Sequence, residues 1–172
     1  MKYLFLDIDG VLNHEEWYRN RVNIYKIFHK YWWEDCFDPE CVKRLNNILQ
    51  KTGARLVVSS SWRLDMDLKK YFGAVGIPTD FDITPSLTRE NKNGVLTWPD
   101  RGDEVAEFLK DHPCDNYVIL DDDMDFSEDQ IKNHFVHCCC DFTQAFKEGH
   151  EGQTGLTELK MDEAINILNK TI

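Results

Sequence analysis

Tyr3-Leu-Phe-Leu6, four apolar residues in a row, runs without a break into Asp7-Ile-Asp-Gly10. A short run with no polar member is the pattern of a strand covered on both faces, as in a parallel sheet flanked by helices. Its abrupt polar end falls where open α/β sheets gather their ligands, at the carboxyl edge of the strands. Asp7 and Asp9, two residues apart on an extended chain, face the same way. Such a pair suits a hard divalent cation held through oxygen, which in turn keeps both carboxylates ionised. Gly10 lets the chain turn sharply with no side chain in the way. Taken alone, the stretch is also compatible with a plain Asx-type turn and solvated acids. Two further polar clusters that end strands downstream favour the site reading.

Asp38-Pro-Glu40 opens a helix, with Asp as N-cap and Pro at the first helical position. Val42, Leu45, Ile48 and Leu49 continue it at helical spacing, and Gly53 ends it. Residues 54–58 form the second buried strand and lead into Ser59-Ser-Ser-Trp-Arg63. The pattern predicts a helix over 64–72 stopped by Gly73 and Gly76, then a loop over 77–87 with a short edge strand beside Pro78 and Pro85. Residues 89–100 are polar and turn-rich. A helix over 103–110 has acids at its start and Lys110 at its end. Residues 117–120 make another buried strand, closed by Asp121-Asp-Asp-Met-Asp125. One more strand near 135–139 and a helix over 161–169 complete the chain. The alternation implies an α/β fold, a parallel sheet with helices on both faces, as one domain over 1–172.

A formal net charge of −11 argues against long, sequence-independent contact with nucleic-acid backbones. It leaves open the gripping of a single phosphate beside a metal ion. Residues 14–33 are the exception, with Arg19, Arg21, Lys26 and Lys30 against only Glu15 and Glu16. The same segment is dense in aromatic residues. The opening residues lack a basic start and a long apolar run, so neither a secretory signal nor a membrane span is expected and the chain is expected in the cytoplasm. Three of the six cysteines, Cys138 to Cys140, are consecutive, a poor disulfide framework. His134-x-x-His137-Cys138 can be read as a metal cluster. The run 135–140 reads better as a buried strand in which Cys is a small apolar residue, because no second ligand pair has zinc-like spacing.

Phe5-Leu-Asp-Ile-Asp-Gly-Val11, the Ser59–Ser61 run and the Asp121–Asp123 run together resemble the haloacid dehalogenase (HAD) superfamily of phosphohydrolases. Phe37-Asp-Pro-Glu-Cys-Val, Thr52-Gly-Ala, Val58-Ser-Ser-Ser-Trp-Arg63, Val118-Ile-Leu-Asp-Asp-Asp and Gly155-Leu-Thr157 are similar to the HAD domain of the Swiss Army Knife RNA-repair proteins. The resemblance implies a HAD-type Rossmann-like sheet with a small flap or cap over 14–37, after the first strand. It implies Asp7 as the nucleophile that forms an aspartyl-phosphate and Asp9 as general acid and base. Mg²⁺ would be held by Asp7, the backbone carbonyl of Asp9 and Asp122, with Asp121 beside it. Asp123 and Asp125 would orient the loop. Ser59, or Ser60 in its place, would bind the phosphoryl group beside Gly10, and Arg101, with Lys92 as competitor, would supply the cation. A nucleophilic serine has no histidine placed as its base. The implied activity is a Mg²⁺-dependent phosphomonoesterase trimming nucleic-acid ends, Arg19, Arg21 and the nearby rings meeting the substrate. A phosphatase for small metabolites and an inactive phosphate-binding module are the alternatives. No membrane and no obligatory protein partner are implied.

Overall fold

The computed structural model describes residues 1–19, 36–90, 92–94, 96–147, 149 and 153–170. Among these residues seven strands follow in chain order: β1 (Lys2–Leu6), β2 (Arg55–Val58), β3 (Asp82–Ile83), β4 (Arg89–Glu90), β5 (Leu96–Thr97), β6 (Asn116–Asp121) and β7 (Phe135–His137). Five of them form one all-parallel sheet in the order β3-β2-β1-β6-β7, while β4 and β5 pair as a separate antiparallel hairpin. Among the described residues, besides the helical turn at 15–19, the helices are α1 (Pro39–Thr52), α2 (Trp62–Asp65), α3 (Leu68–Val75), α4 (Arg101–Asp111), α5 (Glu128–His134), α6 (Phe142–Lys147) and α7 (Glu158–Asn169). β1 is thus the central strand, and the chain leaves it toward β2 and β3 before crossing back to β6 and β7. Such a reversal of strand order opens a crevice at the carboxyl edge.

The two-residue period of the strands sorts the core into two layers. Leu4, Leu6, Leu56, Val58, Val118 and Leu120 pack on one face against α1, α3 and α7. Tyr3, Phe5, Val57 and Ile119 pack on the other, against Val105 and Phe108 of α4 and against Phe126 and Phe135. Full burial of such a side chain contributes about 1.5–3 kcal/mol relative to leaving it in water. Odd-numbered residues of β1 therefore face α4, and Asp7 continues that series just past the strand's end. The sheet itself decides which helix can reach the acid.

Several expectations change in detail. The helix foreseen over 64–72 is two helices, because Asp67 caps Lys70 N and starts α3 afresh. Gly73 lies inside α3, and Gly76, at φ 79°, ends it. β7 is shorter than the strand expected over 135–139. α5 precedes it, announced by a capping box between Ser127 and Gln130. His134 Nδ1 meets Tyr117 O and His137 Nε2 meets Asp122 O, so the two do not gather with buried Cys138 around a metal. Of the flap expected over 14–37, residues 20–35 lie outside the described residues. Phe37 is core, its ring against Trp62 and Phe72. Among the described residues no helix is long and apolar enough to cross a membrane.

Candidate active site

One residue beyond the paired Leu6, Val58 and Leu120 stand Asp7, Ser59 and Asp121. Asp7 and Asp121 are buried, and the Arg101 guanidinium lies between them, its Nη1 donating to Asp7 Oδ1 at 2.5 Å and to Asp121 Oδ2 at 2.9 Å. Arg101 is the first residue of α4, the helix packed on the Asp7 face. Its backbone N–H donates to Asp125 Oδ2 at 3.0 Å, and the Gly102 N–H donates to Asp125 O at 3.1 Å. An aspartate from the loop after β6 thus caps the helix that carries the cation. Lys92, the competing cation of the sequence reading, is exposed on the segment between β4 and β5.

Carboxylate oxygens of Asp7, Asp121 and Asp122 all lie within 4.8 Å of one another. Burial pushes Asp7 up to about 6, against the pull of Arg101 and with help from Asp122. Burial, and then the charge of Asp7, push Asp121 up to about 8. Asp122 is also raised, by burial and by Asp123. With all three ionised, three acids against one guanidinium leave two negative charges, the complement of a divalent cation. A Cβ on Gly10 would fall 2.4 Å from the Asp122 carboxyl, and Gly10 holds φ 73°. Only glycine lets Asp122 lie across this turn. The Cys140 thiol donates to Asp122 as well.

Asp9 is held at both oxygens. Asn13 Nδ2 donates to Oδ1 at 2.8 Å and Trp62 Nε1 donates to Oδ2 at 2.8 Å. The Gly10 N–H, donating to Asn13 Oδ1 at 3.2 Å, fixes which way the Asn13 amide points. Of the two serines, Ser60 draws the Asp7 carboxyl down against its burial and accepts from Trp62 N at 3.4 Å, whereas the Ser59 hydroxyl is buried with no partner among the described residues. Arg63 reaches back with Nη1 to Ser59 O at 2.6 Å and Ser60 O at 2.9 Å, and its Nη2 pairs with Glu104 of α4 at 2.5 Å. Arg19 is exposed and forms an ion pair with Glu15, and Arg21 lies outside the described residues.

Asn13, Trp62, Arg63 and Glu104 were not assigned to the site from sequence. The only local signal was the nearness of Asn13 to the first acids, of Trp62 and Arg63 to the serine run and of Glu104 to Arg101. A second grouping of potential ligands, His14, Asp38 and Cys41, is hydrogen-bonded within itself and to Thr154 and Leu156. It ties the N-terminus of α1 to the segments at 14 and 154.

The family model described as "HAD domain in Swiss Army Knife RNA repair proteins" matches residues 3–149. Searches of curated proteins and of solved structures found no match.

Proposed function

Since the chain belongs to the family of HAD domains found in Swiss Army Knife RNA repair proteins, we propose that it is a Mg²⁺-dependent phosphomonoesterase that removes phosphate from nucleic-acid ends. The observation that carries this reading is the buried Asp7 carboxylate at the end of β1, joined by Arg101 to Asp121 with Asp122 alongside. The donor set is all oxygen and carries two uncompensated charges, which fits Mg²⁺. Asp7, Asp122 and Asp121 would hold the ion, together with the Asp9 backbone carbonyl. Bound there, it supplies neutralisation of charge on the phosphoryl oxygens.

A phosphate monoester resists attack because its oxygens repel an anionic nucleophile, so positioning and neutralisation do most of the catalysis. An Asp7 oxygen forms a bond to phosphorus as the bond from phosphorus to the leaving oxygen breaks. The Asp9 carboxyl gives its proton to that oxygen. In the second half, Asp9 takes a proton from water, the water oxygen bonds to phosphorus, and the Asp7–phosphorus bond breaks to restore the carboxylate and release phosphate. Arg101 and Ser60 offer donors to the phosphoryl oxygens. Gly10 keeps the turn open beside it.

Support for a nucleic-acid end comes from the family's description and from exposed rings. Trp98, three residues before Arg101, is 71% exposed, and Tyr18 is exposed near the segment rich in Arg and aromatic residues. Such rings stack on bases. The net charge of −11 favours the second reading, a phosphatase of small phosphometabolites. The test is phosphate release from 3′- and 5′-phosphorylated oligonucleotides, mononucleotides and sugar phosphates, with and without Mg²⁺. Fastest turnover of sugar phosphates would move the assignment to the second reading, and no Mg²⁺-dependent release from any of them would refute both.

A further inference from the structure

Resting on the phosphatase reading, we propose that Trp62 is the positioning residue for the acid Asp9 and makes the site selective for monoesters whose leaving oxygen must be protonated. Trp62 opens α2, a helix of four residues. One turn of helix does not hold itself together in water. Here the next residue pins it: Arg63 donates to the carbonyls of Ser59, Ser60, Thr84 and Pro85 and pairs with Glu104. The indole packs against Phe37 at 5.8 Å and Tyr71 at 6.0 Å between ring centroids. Its ring is therefore fixed from behind, and its N–H is aimed at Asp9 Oδ2, 2.8 Å away.

An indole N–H is a donor only. It always occupies a lone pair on Asp9 Oδ2, as the oriented Asn13 amide occupies one on Oδ1. The carboxyl cannot spin, and its proton is confined to the directions left over. The backbone N–H of the same residue also donates to Ser60 Oγ at 3.4 Å. Residue 62 thereby links the acid to the serine beside the nucleophile. Proton donation by a placed acid contributes about 10²–10⁴-fold to such reactions. The contribution matters for an alkoxide leaving group, as in a nucleoside phosphate, and hardly at all for an acidic phenol.

The experiment compares Trp62→Phe with wild type on a nucleoside monophosphate and on dinitrophenyl phosphate at saturating Mg²⁺. An aromatic ring is kept at this position, while the N–H donor and part of the indole's volume are lost, and the comparison of the two esters separates the donor from the packing. Expected are a fall of about tenfold or more in kcat/KM for the nucleoside ester and a change of less than about threefold in kcat/KM for the aryl ester, since this ratio reports the transfer to Asp7 and not the later attack of water that both esters share. Equal loss on both esters, or loss on neither, overturns the role of Trp62 while leaving the phosphatase standing. Inertness of the wild-type protein toward both overturns the phosphatase reading and this role with it. A measurement that needs no Trp62 variant is the indole ¹H–¹⁵N resonance. It should shift in Asp9→Asn, and an unmoved resonance overturns the contact.

Discussion

Arg63 joins the serine turn to the helix that carries Arg101, and its removal should be among the costliest single changes in the chain. The side chain is 4% exposed and its partner Glu104 is 10% exposed. The guanidinium serves four carbonyls besides Glu104, which accepts otherwise from Leu87 N at 3.1 Å. Arg63→Met keeps the side-chain length but strands a buried carboxylate and takes a donor from each of those carbonyls. Breaking a buried pair in this way costs about 3–5 kcal/mol. Glu104→Gln keeps the shape and an acceptor for Leu87 N, and leaves Arg63 its four carbonyls, so its cost should be about 1–3 kcal/mol. For a chain of this size about 1 kcal/mol moves Tm by about 2–4 °C. The expected losses are therefore about 6–20 °C for Arg63→Met and clearly less for Glu104→Gln, read by thermal and urea unfolding with an unchanged m-value. A Tm for Arg63→Met within about 2 °C of wild type, or a larger loss for Glu104→Gln, would refute the reasoning.

Asp7→Asn should bring phosphate release below about 1% of wild type while the fold survives, since the nucleophile is lost with little volume; retained release, with deamidation excluded by mass spectrometry, contradicts the assignment. Without metal, stability should fall as pH rises, because native Asp7 and Asp121 keep protons that the unfolded chain, titrating near 3.8, has already lost. That contribution is full below about pH 3.8 and disappears as pH passes about 6 for Asp7 and about 8 for Asp121. Melts in EDTA across this window should show it, and Mg²⁺ should restore stability at neutral pH. Gly10→Ala forces a Cβ into Asp122 at φ 73°, so Mg²⁺ affinity should drop about 10–100-fold by titration; unchanged affinity removes Asp122 from the metal site. Arg19→Ala with Arg21→Ala should slow a phosphorylated oligonucleotide much more than an aryl phosphate and flatten its salt dependence, and parallel losses would favour a small-molecule substrate.

The order of the site along the chain was legible in the residues themselves. Tyr3, Phe5 and Asp7 share one face of β1 because side chains alternate along a strand, and an apolar run ending in acids needs no tertiary information to be seen. The helix start at Asp38-Pro39 was equally plain, since a cap and its N–H lie two residues apart. Periodicity alone could not divide the helix foreseen over 64–72, because the division depends on the Asp67 side chain turning inward to cap α3. Nor could it foresee that the Ser59 hydroxyl would be buried. That depends on how the turn after β2 rotates, and Arg63 holds the turn through Ser59 O, Ser60 O and Glu104, 41 residues away. Trp62 on Asp9 spans 53 residues, and Arg101 on Asp7 spans 94. Local rules write strands, caps and turns into adjacent residues, whereas a site at the edge of a parallel sheet is closed by side chains from separate crossovers. Only the packing of α2 and α4 against that edge brings those side chains to the acids.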